Sequence, residues 1–298
     1  MDKTLCEHFD TLRNYLRDDL ENYASVDFNQ NKDIKYYCSS GESGKTECKT
    51  DLDKINAGCL WLFEQLFLKN KKNTNTVQYI IIWLSYKLNQ KTYDEAKDLN
   101  DFYKKCIENN RHYTSCNNDS GDCSKQLEEN TGYNNYKEII NGRMNLLSTN
   151  IKNMPKIYDA FKLLCNIYTE LGGSNTQNNK YLENASEFVK KYNELNNVSD
   201  NTKDDAYYQV LTTLSNDYIN LKYYCDNNRI DCSSIPSLIP TETDESGVQS
   251  SGKSCNVTSP SLSIVNKLIL ALSIFSVITI FLGIFFKVNN KKFKNYFH

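Results

Sequence analysis

Asp51 to Phe67, DLDKINAGCLWLFEQLF, decides what kind of fold this chain adopts. Leu52, Ile55, Cys59, Leu62, Phe63 and Leu66 recur at intervals of three and four, which places them on one helical face. The centre, GCLWLFEQLF, is apolar on more than one face and belongs in the middle of a core. Upstream, Leu5, Phe9, Leu12, Leu16 and Leu20 give a first amphipathic helix. Downstream, Thr76 is a candidate cap for TVQYIIIWLSYKL. Its run of isoleucines suits a strand by propensity, but Val77, Ile80, Ile81, Leu84 and Leu88 keep a helix's period.

The remaining chain reads the same way. Leu99, Phe102, Tyr103, Cys106 and Ile107 make one helix, and helices resume at Tyr133 with Tyr136, Ile139, Ile140, Leu146 and Leu147. Pro155 suits the first turn of another, whose buried face is Ile157, Phe161, Leu164, Cys165 and Tyr168, ended by Gly172 and Gly173. KYLENASEFVKKYNEL is a shorter helix. Asp204 and Asp205 favour the start of the last one, through Tyr208, Leu211, Leu214, Tyr218 and Leu221. No segment reads as a strand. The fold class is all-α, a helical bundle with long loops over Tyr23–Lys49 and Glu108–Gly132.

Leu268 to Phe286, LILALSIFSVITIFLGIFF, carries no Asp, Glu, Lys or Arg. As a helix it is roughly 28 Å long, close to the ~30 Å core of a bilayer. It reads as one transmembrane helix bounded by Leu268 and Phe286. Lys287, Lys291, Lys292 and Lys294 follow it, and every acidic residue precedes it. The positive-inside rule puts this tail in the cytoplasm and the N-terminal mass outside. The expected organisation is a helical ectodomain over 1–232, a Ser/Thr/Pro-rich stalk over 233–266, the span over 267–287 and a short basic tail over 288–298. The opening twenty residues hold no apolar signal-peptide run, which keeps a tail-anchored intracellular or vesicle-associated protein as the alternative.

Eleven cysteines lie between Cys6 and Cys255. Zinc sites need CxxC pairs or Cys/His clusters, and with His8 and His112 the only histidines before the tail, no metal site is expected. Disulfides fit an oxidising exterior. Cys38 with Cys48, Cys116 with Cys123, and Cys225 with Cys232 are near enough in sequence to bridge, although spacing does not fix connectivity. Cys59, Cys106 and Cys165 fall on apolar faces and read as candidate buried thiols.

The chain has 35 basic and 37 acidic residues and a mean hydropathy of −0.63. No basic stripe points to nucleic acid. Gly247, Gly252, Lys253 and Ser254 satisfy the GxxxxGK[ST] phosphate-loop pattern, but a Pro-rich stalk precedes them where a buried strand is needed. Gly41-Glu-Ser-Gly-Lys-Thr46 lacks the first glycine. No Ser or Cys has a base in a recognisable spacing, so no catalytic residue, cofactor or small-molecule substrate is expected. Sequons begin at Asn118, Asn184, Asn197 and Asn256.

Taken together, GCLWLFEQLF around Cys59, YIIIWLSYKLN from Tyr79, LNDFYKK from Leu99, YDAFKLLCNIYTEL around Cys165, FVKKYNEL from Phe188 and the tyrosine-rich helix before Cys225 resemble the Plasmodium interspersed repeat (PIR) family of malaria-parasite variant antigens, closest to its rodent-parasite Yir/Bir/Cir branch. The resemblance runs over nearly the whole chain. It implies an exported, mostly helical ectodomain on one C-terminal anchor, at the infected red-cell surface or on exported parasite membranes, with variation in its loops. It also implies an unidentified host cell-surface or serum protein as partner, a role in immune evasion, and no catalytic residues.

Overall fold

The computed structural model describes residues 1–21, 26–38, 47–90, 96, 98–118, 121–147, 154–172, 180–197 and 205–238. Backbone contacts divide the chain into Met1–Pro240 and Thr241–His298, and every described residue belongs to the first unit. The span and its boundaries Leu268 and Phe286, the basic tail, and most of the stalk lie outside the described residues. Among the described residues, no helix is long and apolar enough to cross a membrane.

Helix α1 (Lys3–Tyr15) starts where the Asp2 side chain accepts the Leu5 N–H. It stops before Leu20, which lies in the turn beyond its end and packs partly buried against the core. Helix α3 (Asp51–Phe63) opens on a capping box: the Thr50 hydroxyl takes the Asp53 N–H while Asp53 takes the Thr50 N–H. It runs on as π-helical turns over Glu64–Lys69, with the Asn70 N–H reaching back five residues to Gln65. That widened turn brings Glu64 and Gln65 into the interior among Leu66, Phe67 and Leu68. Gly58 lies inside α3 because a Cβ there would sit 3.1 Å from Leu12 and 3.3 Å from Trp83.

Helix α4 (Val77–Leu88) settles the isoleucine run in favour of the helical period, with Ile80, Ile81, Ile82 and Trp83 all buried. Thr76 makes no side-chain cap, because a short 3₁₀ turn capped by Asn73 leads straight into α4. Helix α5 (Leu99–Phe102) also continues as π-helical turns, over Tyr103–Ile107. The central element is α10 (Met154–Leu171), which packs against α1, α4, α11 (Lys180–Asn196) and α12 (Asp205–Ile219). Phe161 stacks on Tyr79 and meets Phe9 edge-on, each at 5.0 Å between ring centres.

Two largely buried carboxylates organise polar pairs inside this core. Asp217 accepts from the Tyr79 hydroxyl and pairs with the Met1 amine, and its carbonyl takes the Tyr168 hydroxyl at 2.8 Å. Asp18 holds Lys162 at 2.7 Å, Arg13 at 3.4 Å and the Tyr158 hydroxyl. Burial opposes the Asp18 charge, but Arg13 and the hydrogen bonds from Lys162 and Tyr158 outweigh it and hold the carboxyl below its ordinary range. Lys87 is fully buried and donates to the carbonyls of Arg17 and Asp18, closing the end of α1. Burial brings its ammonium down to about 7.

The sequence reading is corrected in the connections. Tyr23–Lys49 contains a 3₁₀ turn at Phe28–Gln30, helix α2 (Lys32–Lys35) and a second 3₁₀ turn at Tyr36–Cys38. Glu108–Gly132 holds α6 (Arg111–Thr114), a two-stranded hairpin of β1 (Asn117–Asn118) and β2 (Gly121–Asp122), and α7 (Ser124–Thr131). Side-chain caps from Asn31 and Asn110 supply the N–H partners that let such short helices form. The helix expected after Tyr133 is broken at Gly142 into α8 (Tyr136–Asn141) and α9 (Met144–Leu147).

Candidate functional site

The residues leading into Cys38 and the Cys116–Cys123 hairpin meet on one side of the α3 π-turns. Cys38 and Cys48 are joined with Cα atoms 4.9 Å apart, and Asn29 accepts the Cys48 N–H at 3.0 Å. This fixes both roots of the segment between them, whose residues 39–46 lie outside the described set. Cys116 and Cys123 close the hairpin with Cα atoms 5.0 Å apart. Asn117 pairs with Asp122 and Asn118 with Gly121, whose φ of 110° is one that glycine adopts without strain.

Where Asp33–Tyr37, the π-turns and the hairpin meet lies a recess of about 30 Å³ lined by Asp33, Tyr36, Tyr37, Glu64, Lys69 and Asn118. That is space for about one water molecule. The Tyr37 hydroxyl donates to Glu64 at 3.0 Å and Lys69 lies 3.3 Å from the other carboxylate oxygen. Burial, reinforced by the Glu64 charge, pushes the Tyr37 hydroxyl far above its ordinary range, so it stays a donor. His112 is buried rather than sitting in a solvated loop, because its ring meets Tyr36 and Tyr37 edge-on, each at 5.3 Å. Tyr113 beside it bonds Asn56 at 3.1 Å, so α6 moors the hairpin to α3.

Cys225 and Cys232 are also joined, at the end of α13 (Leu221–Asn228). The fourth disulfide, Cys6–Cys165, corrects the reading of Cys165 as a buried thiol. It links α1 to α10 across 159 residues, and spacing carries no trace of it. The available signal was that both cysteines sit on apolar helix faces, next to Leu5 and Phe9 in one case and Leu164 and Tyr168 in the other. Cys59 takes part in none of these four bridges. Burial raises the Cys59 thiol to about 12, which leaves it protonated and unreactive.

Among the described residues, no group of His, Cys, Asp and Glu is arranged to hold a metal ion. Both phosphate-loop-like stretches, Gly41–Thr46 and Gly247–Ser254, fall outside them. The arrangement offers shape and exposed polar groups on a rigid support. Asn184 of the second sequon donates to both oxygens of Glu170, at 3.1 and 3.2 Å.

The model of the Plasmodium variant antigen protein family Cir/Yir/Bir matches residues 6–287, nearly the full length. The chain belongs to the Cir/Yir/Bir family. A solved structure, "Structure of a Plasmodium PIR protein ectodomain", is similar to this Cir/Yir/Bir chain at 31% identity with a TM-score of 0.59. The match covers 81% of this chain and 98% of that one. Among curated proteins nothing matches.

Proposed function

We propose that this chain is an exported, single-pass variant surface antigen whose helical ectodomain displays the Cys38–Cys48 and Cys116–Cys123 segments to host molecules and helps evade immunity. Leu268–Phe286 anchors it, with the N-terminal region outside and the lysine-rich tail in the cytoplasm. The observation that carries this reading is a pair of short-range disulfides, Cys38–Cys48 and Cys116–Cys123, with the residues leading into Cys38 and the Cys116–Cys123 hairpin meeting at the π-turns of α3. Tying both ends of a segment removes conformational freedom, so its tip changes sequence without disturbing the helices beneath. A set of disulfides favours an oxidising exterior over the tail-anchored cytosolic alternative.

The test is adhesion of infected cells to host cell types and serum-coated surfaces. Replacing residues 39–47 and 117–122 by Gly/Ser spacers is expected to abolish binding while the chain keeps its helical spectrum. Adhesion that survives both replacements contradicts the proposal.

A further inference from the structure

Helices α12 and α13 meet at Asn220, and the chain then turns back on itself. Arg229 adopts the left-handed conformation at φ 56°, the Ile230 N–H bonds the Cys225 carbonyl at 3.0 Å, and Cys225–Cys232 clamps the turn. The Tyr218 hydroxyl donates to the Pro236 carbonyl at 2.6 Å and holds the returning strand of chain against the helices. Between the two runs lies a recess of about 560 Å³, within the ~300–1,000 Å³ range of ligand pockets. Its apolar wall comes from Tyr218, Ile219, Leu221, Ile230, Ile235 and Leu238.

Two further features identify the occupant. Ile219 lines the recess yet is 56% exposed, and Tyr223, one turn on, is 67% exposed. Ile219 is one of the three exposed large apolar residues among those described, so the apolar wall opens outward there instead of closing into the core. The polar lining is of both signs: Lys222 on one hand, Asp226 and Asp231 on the other. No side-chain ion pair among the described residues engages Lys222 or Asp226. A purely anionic or purely cationic ligand meets repulsion from one side of this set. One carrying both charges is met by both.

We propose that this groove binds a single-chain amphiphile with a zwitterionic head group, the alkyl chain along Ile219, Ile230, Ile235 and Leu238, the anionic centre at Lys222 and the cationic centre at Asp226 and Asp231. The source is lipid monomer partitioning from a bilayer. In the proposed anchoring the stalk that continues from Leu238 leads in sequence to the membrane span. The binding itself does not depend on the anchor.

The experiment adds a photoactivatable hexadecylphosphocholine, with a diazirine near its chain end, to the full-length chain in the presence of phosphatidylcholine vesicles. Labelled peptides are then mapped by mass spectrometry. Saturable labelling of peptides within 218–238, displaced by unlabelled hexadecylphosphocholine, is expected. Competitors lose potency about fourfold per methylene removed. Hexadecanoate and hexadecyltrimethylammonium compete about two- to fivefold less well, as expected for exposed charge pairs.

Ile219→Glu abolishes the groove label, whereas Tyr208→Ser, which alters an exposed side chain on α12 outside the groove, leaves it unchanged. Lys222→Glu, on an exposed position, removes the preference for the zwitterion while circular dichroism confirms the fold. Label confined to Leu268–Phe286, label that does not saturate, or indifference to Ile219→Glu overturns the proposal, and equal potency of the three head groups overturns its charge assignment. Alkaline carbonate extraction of the same sample reports on the anchor separately.

Discussion

Replacing Cys6 and Cys165 together by alanine cuts a cross-link between residues 159 apart and leaves every other disulfide in place. In the loop-entropy account the cost grows with the logarithm of the closed loop, giving about 5 kcal/mol for this bridge. The same relation gives about 2 kcal/mol for Cys116–Cys123, whose partners are seven residues apart. Both Cys6 and Cys165 are fully buried, so alanine also removes two packed sulfurs from the α1–α10 contact, which adds to the larger figure. Urea unfolding of residues 1–240, the unit whose disulfides are all internal, separates the two. With a denaturant slope of about 2 kcal/mol/M, the midpoint falls by about 2.5 M or more for the long bridge and about 1 M for the short one. Equal shifts, or a larger shift from the hairpin bridge, refute the view that Cys6–Cys165 staples α1 to the core while Cys116–Cys123 only trims a local segment.

The buried ammonium of Lys87 gives a pH signature. Its folded value of about 7 lies below the ordinary 10.5, so between these values the unfolded chain binds more protons and stability rises with pH, by up to about 1.4 kcal/mol per unit. Lys87→Met flattens that slope between pH 7 and 9.5, and a slope identical to the parent's contradicts the buried-charge assignment. Gly58→Val forces side-chain atoms into Leu12 and Trp83 and lowers stability by about 2–3 kcal/mol in the same urea assay; a neutral effect means α1, α3 and α4 do not approach as described. Thiol mapping without reductant labels Cys59 only after unfolding, and any modification of native Cys59 at pH 8 runs against its burial.

Why some features were legible and others not follows from where the information lies. Cys59, Leu62, Phe63 and Leu66 sit on one periodic face, and Ile80, Ile81 and Leu84 on another, because burial of a helix is written locally at intervals of three and four. The π-turns at Glu64–Lys69 leave no such mark. They bring Glu64 to the buried Tyr37 hydroxyl on one side and to Lys69 at the surface on the other, a tertiary condition. The hairpin at Asn117–Asp122 was hidden by its polar composition, since its backbone pairing is enforced by Cys116–Cys123 and its mooring by the rings around His112, not by apolar alternation. The first residues assigned to the stalk, Ser233–Leu238, pack onto the folded unit because Ile235 and Leu238 find an apolar surface that α12 and α13 create together.

The account's central claim is that a disulfide-tied helical mass faces outward on a single anchor. Two antibodies test it most directly, one against residues 111–132 and one against the tail at 288–298, applied to infected cells before and after permeabilisation. The account predicts that the first binds intact cells and the second binds only permeabilised ones. Staining of intact cells by the tail antibody, or a requirement of permeabilisation for both, contradicts it.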